Sequence, residues 1–269
     1  MSTIVRLPER VGDAILSISA SQRMAGEAGG AQVPAGSPGP LTPAGGALFC
    51  SSCARGEADG AIRASHSVRA DGRTDEACLG KPGRKPAIFI DRDGTLLEPV
   101  EYLSDPDGVK LVPGTGEAMR SARSAGFALV VVSNQSGIAR GFYGPTDVAR
   151  VHERVAELLA IEGALIDRFF FCPHHPDFTG PCRCRKPEPG LLLQAAHCLN
   201  LDLGRSFLVG DTIEDLQAGA RAGCRTILVH TGYGERQARE RRAEMPAGSQ
   251  EAADLAGAIR QILQGREGR

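Results

Sequence analysis

From residue 85 onward the chain alternates between short apolar runs and segments of helical period. The runs are AIFID at 87–91, FALVVVS at 127–133, RFFFC at 168–172, SFLVGD at 206–211 and TILVH at 226–230. Between them, GEAMRSARSAG (116–126), TDVARVHERVAELLAIEG (146–163), PGLLLQAAHCLN (189–200) and IEDLQAGARAG (213–223) repeat apolar residues every three or four positions. Near-continuous apolar strands separated by amphipathic helices predict a doubly wound parallel sheet, buried on both faces. Gly126 and Gly223 fall where the first and last of these helices should stop. Residues 250–264 have the spacing of a closing helix. The charged stretch ERQARERRAE (235–244) reads as a solvated segment. The pattern is that of one α/β domain over 85–269.

The first 84 residues have a different texture. Residues 25–46 are mostly Gly, Ala and Pro, with almost nothing large to bury, so they cannot offset the entropy of ordering themselves. They predict a disordered extension, preceded by a short helix over 4–18. Cys50, Cys53, His66 and Cys78 lie in this arm. They could compose a second zinc site, but no periodic flank would hold them together, and free thiols in a flexible arm are the expectation.

Composition narrows the function. Lysine and arginine number 31 against 32 acids, so the chain lacks the basic field of a nucleic-acid binder. No stretch approaches the roughly 18 apolar residues of a membrane helix. Three of the eight cysteines crowd into one short loop, a distribution that suits metal binding in a reducing compartment better than a disulfide scaffold. The expectation is a cytoplasmic monomer without nucleic-acid or membrane partners.

In a doubly wound sheet, ligands sit beyond the carboxyl ends of the strands. There the sequence places Asp91 and Asp93, then Ser133 and Asn134, then Asp211 and Asp215, with Lys186 after the cysteine loop. In DRDGT, carboxylates at i and i+2 of an extended segment share a side, and Gly94 allows the chain to turn away. Asp91, Asp93 and Asp211 in one pocket would repel one another without a hard cation such as Mg²⁺. Ser133 and Lys186 add a hydroxyl donor and a positive charge suited to a phosphoryl group.

The loop CPHHPDFTGPCRCRKP, 172–187, supplies Cys172, His174, Cys182 and Cys184, three sulfurs and one nitrogen fit for tetrahedral Zn²⁺. Four protein donors leave no open position, so such a zinc is structural. His175 is the competing imidazole. Because Cys184 precedes Lys186 by two residues, closing the loop would fix the backbone that presents Arg185 and Lys186.

These motifs resemble those of the haloacid-dehalogenase superfamily of phosphotransferases: D-x-D-G-T, a strand-ending Ser, a Lys and a final G-D-x-x-x-D. The resemblance implies a Rossmann-like haloacid-dehalogenase fold. It implies that Asp91 attacks phosphorus and that Asp93 is the general acid and base. Ser133 and Lys186 would bind the phosphoryl oxygens, and Asp211, with Asp91 and the Asp93 carbonyl, would hold Mg²⁺ supported by Asp215. IDRDGTL, VVSNQSGIARG, CPHHP, CRCRKPEPG and VGDTIEDLQAG narrow the likeness to the heptose-bisphosphate phosphatase family, over roughly 86–232. The histidinol-phosphate phosphatase domain is its near relative. That match implies a small phosphorylated metabolite, a sugar bisphosphate, as partner. It implies substrate contacts from Asn134, Arg140 and Arg185, and a minimal cap made by EPVEYLSDPDGV (98–109) and the zinc loop.

Overall fold

A computed structural model of the chain describes residues 47–48 and 84–267. The expectations for the disordered arm, the short helix over 4–18 and Cys50, Cys53, His66 and Cys78 fall outside the described residues.

The five predicted apolar runs are strands β2 (Ala87–Ile90), β3 (Ala128–Asn134), β4 (Arg168–Cys172), β5 (Phe207–Gly210) and β6 (Arg225–Val229). With β1 (Ala47–Leu48), a two-residue pairing on the β4 edge, and β7 (Gln250–Ala252), they lie in one parallel sheet of order β1-β4-β3-β2-β5-β6-β7. The predicted helices are α1 (Thr115–Ser124), α2 (Pro145–Ile161), α4 (Gly190–Leu199) and α5 (Ile213–Arg221), with the one-turn α3 (Pro176–Thr179) in the cysteine loop. Gly126 and Gly223 both take left-handed φ, at 87° and 83°, one residue past the caps of α1 and α5. That is the backbone a helix stop requires.

One expectation changes at the C-terminal end. The stretch 250–264 is not one helix: Gln250–Ala252 form β7, parallel to β6, and α7 (Leu255–Glu267) begins only afterwards. The open edge of β6 presents backbone groups that a strand satisfies and a helix could not. The charged segment is largely exposed, as expected, and is ordered as α6 (Gly234–Glu240) and a 3₁₀ turn over Arg242–Glu244. Arg241 anchors it to Glu214 on α5 at 2.7 Å and to Glu244 at 2.6 Å.

The strand period of two divides the core. Ile88, Ile90, Leu129, Val131, Val209 and Ile227 face α1, α2 and α7, where Met119, Val155 and Ile259 are fully buried. Phe89, Val130, Val132 and Leu208 face the other layer, built by Leu191, Leu192 and Ala195 of α4 and Ala218 of α5. Truncating one of the large side chains to Ala costs about 2–5 kcal/mol. The chain runs outward from β2 through β3 to β4, then returns beside β2 to build β5, β6 and β7. The crevice at this reversal is where a doubly wound sheet binds its ligand.

Candidate active site and metal-binding loop

Asp91 and Asp211 follow directly from strands. Asp91 continues β2, its amide donating to Val209 O at 2.9 Å, and Asp211 continues β5. Asp215 is set by the start of α5. Its carboxylate accepts from the Thr212 amide at 3.1 Å and the Thr212 hydroxyl at 2.6 Å, and the Thr212 hydroxyl in turn caps the Asp215 amide. This reciprocal cap fixes the carboxylate as it satisfies the helix end. The oxygens of Asp91, Asp211 and Asp215 lie within 4.8 Å of one another, and all three residues are buried.

One cation answers these three acids. Lys186 Nζ donates to Asp91 Oδ1, lies 2.6 Å from Asp215 Oδ1 and donates to Val132 O at 2.9 Å. Burial alone would lower the pKa of the ammonium, but Asp215 and Asp91 outweigh it and hold the proton on. Burial pushes the Asp91 carboxyl up to about 7; Lys186 pulls against the rise, while Asp215 and Asp93 add to it. Asp211 is driven to about 8 by burial, then by Asp91 and Asp215, with the Tyr233 amide opposing. Two buried carboxyls raised this far have too little positive charge beside them. An oxygen-seeking divalent cation fits that donor set.

Space for Asp211 depends on two glycines. Its Oδ2 accepts from the Tyr233 amide at 2.8 Å, in the loop after β6, and Thr231 Oγ1 ties that loop to Gly94 O at 2.6 Å. Gly94 and Gly232 have φ of +86° and +57°, and a Cβ on either would collide with Asp211 Oδ2. Gly94 serves both as the turn read from the sequence and as the clearance for Asp211. The role of Gly232 was not read from the sequence. A TGYG stretch just beyond the last predicted strand was the available signal.

Asp93 stands apart from the metal-type cluster, held by a frame the sequence reading missed. Arg92 Nε lies 3.0 and 3.1 Å from its two oxygens, and Gln135 Nε2 donates to Oδ2 at 2.9 Å. Gln135 also donates to Ser133 Oγ at 3.2 Å, and its Oε1 accepts from Arg92 Nη2 at 3.0 Å and Tyr143 OH at 2.8 Å. An Arg between two strand-end acids was the legible clue. Ser133 sits at the penultimate position of β3 and is 1% exposed.

Asn134 reaches Lys186 from the next position. Its side-chain amide donates to Lys186 O and accepts from Lys186 N, both at 3.1 Å, clamping the backbone that carries the ammonium. Asn134, Asp93, Arg92 and Gln135 also line a cavity of about 550 Å³. Its far wall is the segment 99–103, with Tyr143, Gly232 and Tyr233. Residues 99–103 of the 98–109 insert thus border the cavity, and buried Leu103 and Val109 anchor the insert. Arg140 and Arg185 do not line this cavity. They stand at the cysteine loop, Arg140 Nη2 at 2.9 Å from His175 Nε2 and Arg185 Nη1 donating to His174 O at 3.2 Å.

In that loop Cys172, His174, Cys182 and Cys184 converge. Their sulfurs are 3.2, 3.5 and 3.6 Å apart, and His174 Nδ1 lies 3.6 Å from Cys172 and 3.4 Å from Cys184. Zinc–sulfur bonds of about 2.3 Å arranged tetrahedrally set sulfurs roughly 3.8 Å apart, so the spacing suits that ion. The cysteines are free thiols. His175 is not part of the cluster; its Nδ1 instead accepts from Asp177 N at 3.3 Å, at the start of α3.

Residues 183–258 match the family described as HAD-hydrolase-like. The chain is 46% identical over 153 residues to the D-glycero-beta-D-manno-heptose-1,7-bisphosphate 7-phosphatase of Yersinia pestis, covering 55% of this chain and 81% of that one. It is 40% identical over 183 residues to the protein of the same name from Photorhabdus laumondii, covering 66% of this chain and 96% of the relative. The crystal structure of D,D-heptose 1,7-bisphosphate phosphatase from B. bronchiseptica, complexed with magnesium and phosphate, superposes with a TM-score of 0.62 at 35% identity. That match covers 67% of this chain and 99% of the other.

Proposed function

Because the chain belongs to the heptose-1,7-bisphosphate 7-phosphatase family of HAD-like hydrolases, we propose that it removes the 7-phosphate of D-glycero-D-manno-heptose 1,7-bisphosphate through an aspartyl-phosphate. The observation that carries this reading is the buried Asp91–Lys186–Asp215 contact beside Asp211, set next to a cavity that Asp93 lines.

Asp91, ionised against Lys186, attacks phosphorus while the bond from phosphorus to the sugar oxygen breaks. Asp93 passes its proton to that oxygen, and the sugar leaves as an alcohol. Asp93 then takes a proton from water as the water oxygen attacks phosphorus. The bond to Asp91 breaks, inorganic phosphate departs, and both residues return to their starting state. Ser133 and Lys186 hold the phosphoryl oxygens through the transfer. A magnesium ion held by Asp91, Asp211 and the Asp93 carbonyl would offset the charge that develops on those oxygens.

Asn134 acts by fixing Lys186 and borders the substrate. Arg140 and Arg185, which stand at the cysteine loop beside the cavity residue Asn134, offer forked donors to a second phosphate or a sugar hydroxyl pair. Each offers five donors, and Arg140 Nε is buried without a hydrogen-bond partner. Cys172, His174, Cys182 and Cys184 would hold a structural zinc, which would close the loop whose next residues are Arg185 and Lys186. No helix among the described residues is long and apolar enough to cross a membrane. A cytoplasmic monomer completes the reading, since a reducing compartment keeps the four donors available to metal.

The test is phosphate release from heptose 1,7-bisphosphate and from histidinol phosphate, side by side, with magnesium and zinc-loaded protein. Strong preference for the bisphosphate, abolished by Asp91→Asn, is the expected result. Preference for histidinol phosphate would overturn the substrate, and an Asp91→Asn protein as active as wild type would overturn the mechanism.

A further inference from the structure

The frame around Asp93 uses every hydrogen-bonding capacity of one side chain. A guanidinium has only donors, so the Gln135 amide must turn its oxygen to Arg92 and its nitrogen to Asp93 and Ser133. Its oxygen accepts from Arg92 and Tyr143, and its nitrogen donates to Asp93 and Ser133. Four bonds saturate the group, and Gln135 is 2% exposed.

Two consequences follow for the atoms that would do the chemistry. Ser133 Oγ must accept from Gln135, which leaves its own hydrogen for another acceptor, here a phosphoryl oxygen. Asp93 Oδ2 accepts from Gln135 Nε2 at 2.9 Å and shares Arg92 Nε at 3.1 Å, whereas Oδ1 accepts only from that same Nε, at 3.0 Å. Oδ1 therefore keeps the spare lone pair with which to carry and return a proton. We infer that Gln135, braced by Tyr143 and Arg92, is a positioning residue that aligns the general acid–base Asp93 and the phosphate-binding Ser133 in one frame. This rests on the phosphatase reading above.

A role in aligning the acid has a signature that mere packing lacks. A sugar alkoxide needs a proton to leave, whereas p-nitrophenolate leaves without one, and kcat/KM reports the steps through leaving-group departure. General-acid catalysis supplies about 10²–10⁴-fold, so Gln135→Met should lower kcat/KM for the heptose bisphosphate about 30-fold more than for p-nitrophenyl phosphate. Tyr143→Phe, which deletes a single bond and keeps the ring, should shift the same ratio in the same direction by about threefold, and it stands as the test if Gln135→Met does not fold. Both are assayed in the full chain with magnesium and zinc. Equal losses on the two substrates, or none, would overturn the inference and leave Gln135 a packing residue. Wild type inert toward both substrates would instead overturn the phosphatase reading itself.

Discussion

Lys186 and Asp215 meet at 2.6 Å with side chains only 3% and 1% exposed, and they come from different layers of the site. Lys186 arrives on the loop that follows the cysteine cluster, Asp215 from the first turn of α5. Asp91 of the β2 end shares the same ammonium. One lysine thus joins three chain segments.

Removing that cation should destabilise the fold as well as silence it. Lys186→Met leaves Asp91, Asp211 and Asp215 buried without a cation, and breaking a buried pair in this way costs about 3–5 kcal/mol. Urea unfolding without added magnesium should show a loss of that size, reduced by saturating magnesium. A variant as stable as wild type without magnesium would show that the acids do not depend on Lys186.

The same cluster sets a pH dependence. Asp91 and Asp211 titrate near 7 and 8 in the folded chain, against about 4 for an unfolded carboxyl. The folded state therefore binds more protons across that interval, and stability must fall as pH rises through it. Thermal melts without magnesium should decline from about pH 6 to about pH 8.5 more steeply in wild type than in Asp211→Asn. Magnesium should flatten the wild-type decline, because it binds the ionised form and competes with protons. Parallel slopes in the two proteins would refute the assignment.

Zinc should be present at one ion per chain by elemental analysis and be lost in Cys184→Ser. Because the loop leads directly into Arg185 and Lys186, zinc loss should lower phosphatase activity by about 10-fold or more, the scale of effect seen when groups that orient a metal site are removed. It should also expose 172–187 to protease. Full activity in zinc-free protein would separate the loop from catalysis.

Gly232→Ala tests the clearance around Asp211. A Cβ at φ +57° is strained, and it would press on Asp211 Oδ2. The strain costs about 1–3 kcal/mol. If about 1.4 kcal/mol of it falls on the metal-binding geometry, the magnesium concentration for half-maximal activity rises about 10-fold. KM for substrate at saturating magnesium should move little. An unchanged magnesium requirement would show that the loop yields.

The sequence by itself determined the five strands, four helices and the acid and thiol donors, because each is written in local periodicity or spacing. AIFID and FALVVVS are apolar up to their last residue, as strands buried on both faces must be. The polar residue that ends each run then marks the carboxyl end of the sheet. The D-x-D-G-T and C-x-H…C-x-C patterns specify donors suited to a phosphoryl group and to metal ions.

The tertiary structure decided which partners those donors take. The C-x-H spacing favours His174 over its neighbour His175, and the fold separates them: it turns Nδ1 of the first toward Cys172 and Cys184 and uses the second at the start of α3. Gln135 lies 42 positions from Asp93, and Lys186 lies 95 from Asp91. Gln250–Ala252 became a strand only because β6 left an edge to pair. These pairings depend on strand register and burial, which bring distant residues into hydrogen-bond reach and which no short stretch of sequence encodes.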